Sequence, residues 1–248
     1  MKILVFVSKW IGNKCLNTLF NNDDDYLFIV SDPDADKIIK SIKKRGYKYL
    51  MLNEGAIKFI DSHDNDYYDW LLNLWGGHVF DDKILLKAKK SLNIHPSFLP
   101  FGRGRDPVVW AIRHSHPAGV TLHQITSGVD EGPIIVQEEV KHQFPETGQE
   151  LYNRVVDRCW KLFNEKWISI RNSVNKPILQ KTNNMTYKRK DLLKDRLINL
   201  DENDSYRSLI LRIMAHDFCD SNGDGYCSNI KYNDKSYSVR LVIREDGE

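Results

Sequence analysis

Short apolar runs alternate with helical segments through the first 95 residues, and this alternation is the tightest constraint on the fold. Ile3 to Val7 is a five-residue apolar run of the length and β-branched content of a buried strand. A helix around Asn13 to Phe20 follows, then a strand at Tyr26 to Ser31, an amphipathic charged helix at Ala35 to Lys44 and a strand at Tyr47 to Leu52. Tyr68 to Trp75 is apolar and runs into Gly76-Gly77, which marks a strand end. Asp81 to Lys89 reads as a helix and Ser91 to His95 as a short strand. Strands separated by helices cannot form hairpins, so the pattern predicts an α/β domain with a mostly parallel sheet.

The pattern changes after residue 117. Gly119 to Ile125 and Ile134 to Val140 read as two strands around a Gly- and Asp-bearing loop. Glu146 to Asn172 carries Leu151, Val155, Val156, Trp160, Phe163 and Trp167 at helical spacing and predicts one long amphipathic helix, closed by Lys176-Pro177. From about residue 183 the composition turns polar. A helix at Ser205 to Ala215 and a hairpin of Tyr226 to Tyr232 with Ser236 to Ile243, turning at Asn233-Asp234, predict a small α+β appendage. The expected division is residues 1–182 and 183–248.

Several classes are disfavoured. A net charge of +2 implies no broad basic surface for nucleic acid. The cysteines Cys15, Cys159, Cys219 and Cys227 form no CxxC pair, so no zinc site is expected, and thiols this sparse suit a reducing compartment. The first apolar run is too short for a signal peptide, and no stretch approaches the roughly 20 apolar residues of a membrane span. The expectation is a cytoplasmic protein with neither membrane nor nucleic-acid partner. Ser8-Lys9-Trp10-Ile11-Gly12-Asn13, read as the loop after the first strand, lacks the GxGxxG of a dinucleotide site.

The chemistry concentrates between Ser91 and Pro133. Asn93 and His95 are two apart on a strand and share a face at its C-terminal end, where open α/β sheets bind ligands. An imidazole there can take a proton from an amine, and a side-chain amide can donate to a developing oxyanion. The same residues also suit a polar strand end. Asp130, between Gly128 and Gly132, could orient that imidazole or could simply form a tight turn.

Asn93-x-His95-Pro96-Ser97-x-Leu99-Pro100, Arg103-Gly104, Pro107-x-x-Trp110, Gly119-Val120-Thr121-x-His123 and Asp130-x-Gly132-Pro133-Ile134 together resemble the folate-dependent formyltransferases. The resemblance runs in order over residues 1 to about 140 and is most specific between 91 and 136. Phe98 stands where that family usually has Leu. The resemblance implies a Rossmann-like formyltransferase core and N10-formyltetrahydrofolate as co-substrate, without a metal. It implies Asn93, His95 and Asp130 as the catalytic set, with His95 taking the amine proton, Asn93 and protonated His95 stabilising the oxyanion, and Asp130 orienting His95. It also implies a folate site between Trp75-Gly76-Gly77-His78-Val79 and Ser127-Gly128-Val129-Asp130 with Gly132.

Members of that family differ in the amine they formylate. The short, partly acidic tail argues against the many phosphate contacts that a tRNA requires. Thr186-Tyr187-Lys188-Arg189, followed by a helix and a hairpin, is similar to the sugar N-formyltransferases acting on nucleotide-linked amino sugars. The acceptor this implies is dTDP-4-amino-4,6-dideoxyglucose, in O-antigen or surface polysaccharide synthesis, with a homodimeric enzyme. Ser8, Lys9, Trp10, Arg103, Arg105 and Tyr187 are the candidate sugar-nucleotide contacts: cations for the pyrophosphate and a flat ring for the base. A 3-amino sugar, methionyl-tRNA, hydrolysis to free folate and a catalytically silent folate-binding module stay open as alternatives. Asp220-x-Asn222-x-Asp224-Gly225 imitates a calcium loop, but its twelfth position is Lys231. His114 and His116 with His123, and the sequons at Asn184 and Asn203, carry no expected function.

Overall fold

The computed structural model describes residues 1–31, 35–181, 185–220 and 222–245. The expected boundary at 182/183 and the sequon residue Asn184 lie outside them. In chain order the elements are β1 (Lys2–Val7), α1 (Lys9–Leu19), β2 (Asp25–Val30), α2 (Asp36–Lys44), β3 (Lys48–Met51), α3 (Glu54–Asp61), β4 (Trp70–Leu74), α4 (Asp82–Leu85), β5 (Ser91–His95), β6 (Arg103–Gly104), α5 (Pro107–Arg113), β7 (Gly119–His123), β8 (Ile134–Glu139) and α6 (Gly148–Arg171). Then follow β9 (Thr186–Tyr187), α7 (Arg189–Arg196), β10 (Leu197–Ile198), α8 (Tyr206–Ala215), β11 (Phe218–Cys219), β12 (Gly225–Tyr226), β13 (Ser228–Tyr232) and β14 (Lys235–Val239). They group into two compact units, one of Met1–His95, Val120–Glu138 and Val156–Lys181, the other of Pro96–Gly119, Glu139–Val155 and Thr182–Glu248.

The first unit is built on the main sheet, ordered β3-β2-β1-β4-β5-β7-β8. Strands β1 to β5 pair in parallel, and β5 with β7 is antiparallel. Both faces of β1 are buried, which explains its unbroken apolar run. Leu4 and Phe6 join Ala56 and Ile60 of α3 and Ile84 of α4 in one core cluster. On the other face, Val7 meets Gly12 of α1, where a side-chain carbon would stand 2.8 Å from Val7 and 2.7 Å from Leu74 O. Trp70, in register with Ile3, packs edge-on against Trp167 of α6. The chain reverses direction across the sheet between β1 and β4, and such switch points open a crevice at the carboxyl ends of the strands.

Three local expectations change. Ser8 to Asn13 is not a loop: β1 passes into α1 at Lys9, and Trp10 lies in the first helical turn. The helix expected over 81–89 stops at Leu85, because Lys87 and Lys90 accept from Tyr68 and Leu71 while the Lys89 N–H donates to Tyr68 O. Helices α3, α5 and α7 were not anticipated. The first is capped by Asn53 Oδ1 accepting from Ala56 N–H, and the second starts at Pro107.

In the second unit, β6 pairs with β9 in parallel, placing Arg103 beside Thr186 and Gly104 beside Tyr187. Gly104 has φ +86°, and a side-chain carbon there would lie 2.3 Å from Tyr187 O, so this backbone approach requires glycine. Helix α5 packs on α8. The expected hairpin forms as β13 and β14, with Asn233 and Asp234 both left-handed in its turn.

Candidate active site

The register of three adjacent strands of the first unit assembles the site. Asn73 of β4 is the partner of Asn93 of β5, and Asn93 is the partner of His123 of β7. Register partners share a face, so the three side chains form a row. Asn73 Nδ2 donates to Asn93 Oδ1 at 2.9 Å, and Asn93 Nδ2 lies 3.0 Å from His123 Nε2. His123 Nδ1 is 2.7 Å from Gln124 O, which can only accept, so Nδ1 carries the hydrogen.

Asp130 joins this row from the loop after β7. Its Oδ1 accepts from Asn93 Nδ2 at 3.4 Å and lies 3.6 Å from His123 Nε2, while Oδ2 lies 3.6 Å from His95 Nδ1. Asn93, His95 and Asp130, singled out from the sequence, are thus brought together, and each imidazole has a nitrogen 3.6 Å from the one carboxylate. The side chains of His95 and His123 are 7% and 2% exposed, so their interactions are little screened by water. Asp130 is held at φ +52°, unusual for a residue with a side chain. Gln180 Nε2 donates to Asp130 O at 2.9 Å and to Gly132 O at 2.7 Å. A side-chain carbon on Gly132 would meet Gln124 O at 1.8 Å, so the loop closes only over glycine.

The 75–79 segment is tied to the same row. Asn73 Oδ1 accepts from Gly76 N–H at 3.1 Å, and Ser8 Oγ donates to Trp75 O at 2.6 Å across the switch point. His78 stacks on Phe6, and burial lowers its pKa. Gly77, Val79, Ser127 and Val129 are exposed; Trp75, Gly76 and Gly128 are half-buried. Ser8 is buried, while Lys9 and Trp10 beside it are exposed.

In the second unit Arg103 is buried and Arg105 exposed. Tyr187 is 8% exposed and stacks on Trp110 at 4.2 Å between ring centres, so its ring is a packing element. Trp110 Nε1 donates to Arg105 O. Asp220 Oδ1 accepts from the Asn222 and Asp224 N–H groups, closing that segment as a polar turn. Among the described residues, no cluster of His, Cys, Asp or Glu could hold a metal ion, and no helix is long and apolar enough to cross a membrane.

Asn73, His123 and Gln180 were not singled out as site residues from the sequence. Asn73 had a visible signal, a lone amide inside the apolar run Trp70–Leu74, and His123 stood in a quoted motif. Gln180 had none.

Residues 79–166 match the family model described as formyl transferase. A dTDP-4-amino-4,6-dideoxyglucose formyltransferase of Mycobacterium bovis is 30% identical over 135 residues, covering 54% of this chain and 58% of that protein. The chain spans between 29% and 62% of the lengths of the curated relatives it matches. A 4-N formyltransferase from Francisella tularensis has the same fold, with a TM-score of 0.79 at 22% identity over 98% of both chains. An N-formyltransferase from Helicobacter canadensis, solved with folinic acid and dTDP-3-aminofucose, follows at 0.70 and 19% identity over 94% of this chain and 85% of that one. Residues 79–166 of the chain are thus similar to the formyl transferase family, and the chain has the formyltransferase fold.

Proposed function

We propose that this protein transfers a formyl group from N10-formyltetrahydrofolate to the amino group of a nucleotide-linked amino sugar, with dTDP-4-amino-4,6-dideoxyglucose as the acceptor. The observation that carries the reading is the convergence of Asn93, His95 and Asp130 at the carboxyl ends of the central strands. The folate supplies a formyl carbon open to attack by an amine. His95 turns Nδ1 to Asp130, so the amine proton is taken at Nε2 and passed to N10 as the bond between N10 and the formyl carbon breaks and tetrahydrofolate leaves. Asp130 holds the ring in that orientation and stabilises its charged form. The Asn93 Nδ2 hydrogen in the long 3.4 Å contact with Asp130 turns to the oxygen on which negative charge develops.

The residues present fit a reduced folate. Segments 75–79 and 127–132 are both bonded to the Asn73–Asn93 pair, directly or through Asp130. They offer exposed Val79 and Val129 and glycine backbone that a flat ring can approach closely. Lys9 and Trp10 are exposed and adjacent, a cation for the pyrophosphate and a ring for the base; Arg103 and Arg105 are the other candidate cations.

The named acceptor of the Mycobacterium relative supports the 4-amino sugar, and the ligand of the Helicobacter protein keeps the 3-amino isomer as a second reading. The proposal includes a homodimer acting in surface polysaccharide synthesis. A panel of dTDP-4-amino sugar, dTDP-3-amino sugar and methionyl-tRNA, each with N10-formyltetrahydrofolate and monitored by folate absorbance, tests the acceptor. Formylation of the 4-amino sugar alone is expected. Turnover of only the tRNA would overturn the acceptor and keep the formyl transfer. Turnover without any amine would assign a hydrolase instead.

A further inference from the structure

We infer that Asn73 is a positioning residue for formyl transfer: it sets which way the Asn93 amide faces and couples that choice to the Gly76 turn. The inference rests on the formyl-transfer reading above.

The two ends of a side-chain amide are nearly the same size and opposite in polarity, so packing hardly distinguishes its two flips and hydrogen-bond partners must. Gly76 N–H can only donate, and it donates to Asn73 Oδ1. Asn73 Nδ2 donates to Gly76 O at 3.1 Å, which fixes the same flip, and to Asn93 Oδ1 at 2.9 Å. With its oxygen engaged there, Asn93 presents Nδ2 to His123 Nε2 and to Asp130 Oδ1. The far end accommodates the same polarity. Gln124 O can only accept, so His123 carries a hydrogen on Nδ1, and a ring with its one hydrogen there offers a bare Nε2. Backbone groups of fixed polarity at Gly76 and Gln124 therefore orient three side chains between them. Asn73 is 5% exposed, so water is a poor substitute partner. The result is an N–H donor on the Asp130 side of Asn93, where the transferred group's oxygen needs one.

Two substitutions break these links to different extents. Asn73→Asp still accepts from Gly76 N–H but has no N–H for Asn93 Oδ1 or Gly76 O, so the Asn93 amide turns over and the Gly76 turn is held by one bond instead of two. Asn73→Leu removes all three links. Asn73→Asp should lower kcat by on the order of 100-fold, approaching Asn93→Ala, with the folate KM rising less than in Asn73→Leu. Asn73→Leu should lose rate and raise the folate KM as well. In an Asn93→Ala background Asn73→Asp should cost little more, because no amide is left to orient. Asn73→Ser, which can accept and donate, should keep more activity than Asn73→Asp and serves if the others unfold.

A substrate-free readout is the ¹⁵N spectrum of histidine-labelled protein. His123 Nε2 should be a bare acceptor in the wild type and protonated in Asn73→Asp, where it must donate to Asn93 Oδ1. A folded Asn73→Asp protein with wild-type turnover, an equal loss in both backgrounds, or an unchanged Nε2 signal would each overturn the inference. If the signal changes as expected but the wild type formylates no amine, the orienting role stands and the formyl-transfer reading falls.

Discussion

Asp130 in the first unit and Asp195 in the second are almost equally shielded, with 15% and 18% of their side chains exposed, and each faces histidine. Their geometry differs. Asp195 takes Arg113 through three hydrogen bonds of 2.8, 3.0 and 3.1 Å and His216 Nε2 at 2.9 Å. Asp130 stands 3.4 to 3.6 Å from Asn93, His95 and His123. Burial would raise the Asp195 carboxyl, but the bonds from His216 and Arg113 outweigh it and hold that group well below the usual carboxylate range. One carboxylate is locked into an ion pair that stabilises its unit. The other lies farther from Asn93, His95 and His123, at distances of the kind that shorten in catalytic sites when substrate binds.

The comparison is tested hardest by Arg113→Ala. It leaves a buried carboxylate without its main cation and should cost about 3 kcal/mol of stability. Urea unfolding measures this, and turnover per folded molecule should stay near wild type. Because the Asp195 pKa is lowered on folding, its contribution is complete above about pH 4, the unfolded carboxyl value, and is lost as pH falls through the folded value. The deficit of Arg113→Ala should therefore shrink in acid; a constant deficit would mean that packing, not charge, holds the knot.

Next in size is His95→Asn, which should lower kcat by about 100-fold or more, with the thermal transition little changed. Near-normal turnover in a folded variant would remove the Asp130 cluster from the chemistry and erase the contrast with Asp195. Gly104→Ala should cost about 2 kcal/mol from the left-handed backbone and the contact with Tyr187 O, read as a lower thermal midpoint. Smallest is Tyr187→Phe, which keeps the stack on Trp110 and should shift stability by less than about 0.5 kcal/mol. A rise in acceptor KM in that variant would give the phenol a substrate contact in addition to its packing role.

Much of the sheet was legible because a strand buried on both faces must be apolar throughout, as Ile3–Val7 and Trp70–Leu74 are. Short helices were less so. The first turn of α1 was read as a loop, since Lys9 and Trp10 face outward and only Gly12, pressed on Leu74 O, reports the packing beneath. Asn93 and His95 were legible from their spacing and motif. The partners were not: Asn73 is twenty residues from Asn93 and His123 thirty, and strand register alone brings them into one row.

By itself the sequence determined the α/β character of the first 95 residues, through the period of its apolar positions, and singled out Asn93, His95 and Asp130 as candidates, through residue chemistry within a specific motif. Tertiary structure alone decided which polar groups meet and in which orientation. It also decided that Arg103-Gly104 and Trp110 pack with Tyr187, so that two motifs more than seventy residues apart form one local structure. The physical reason is range. Periodicity and propensity act between neighbours in the chain. Register, amide polarity and close backbone approach depend on segments that only folding brings within hydrogen-bond distance.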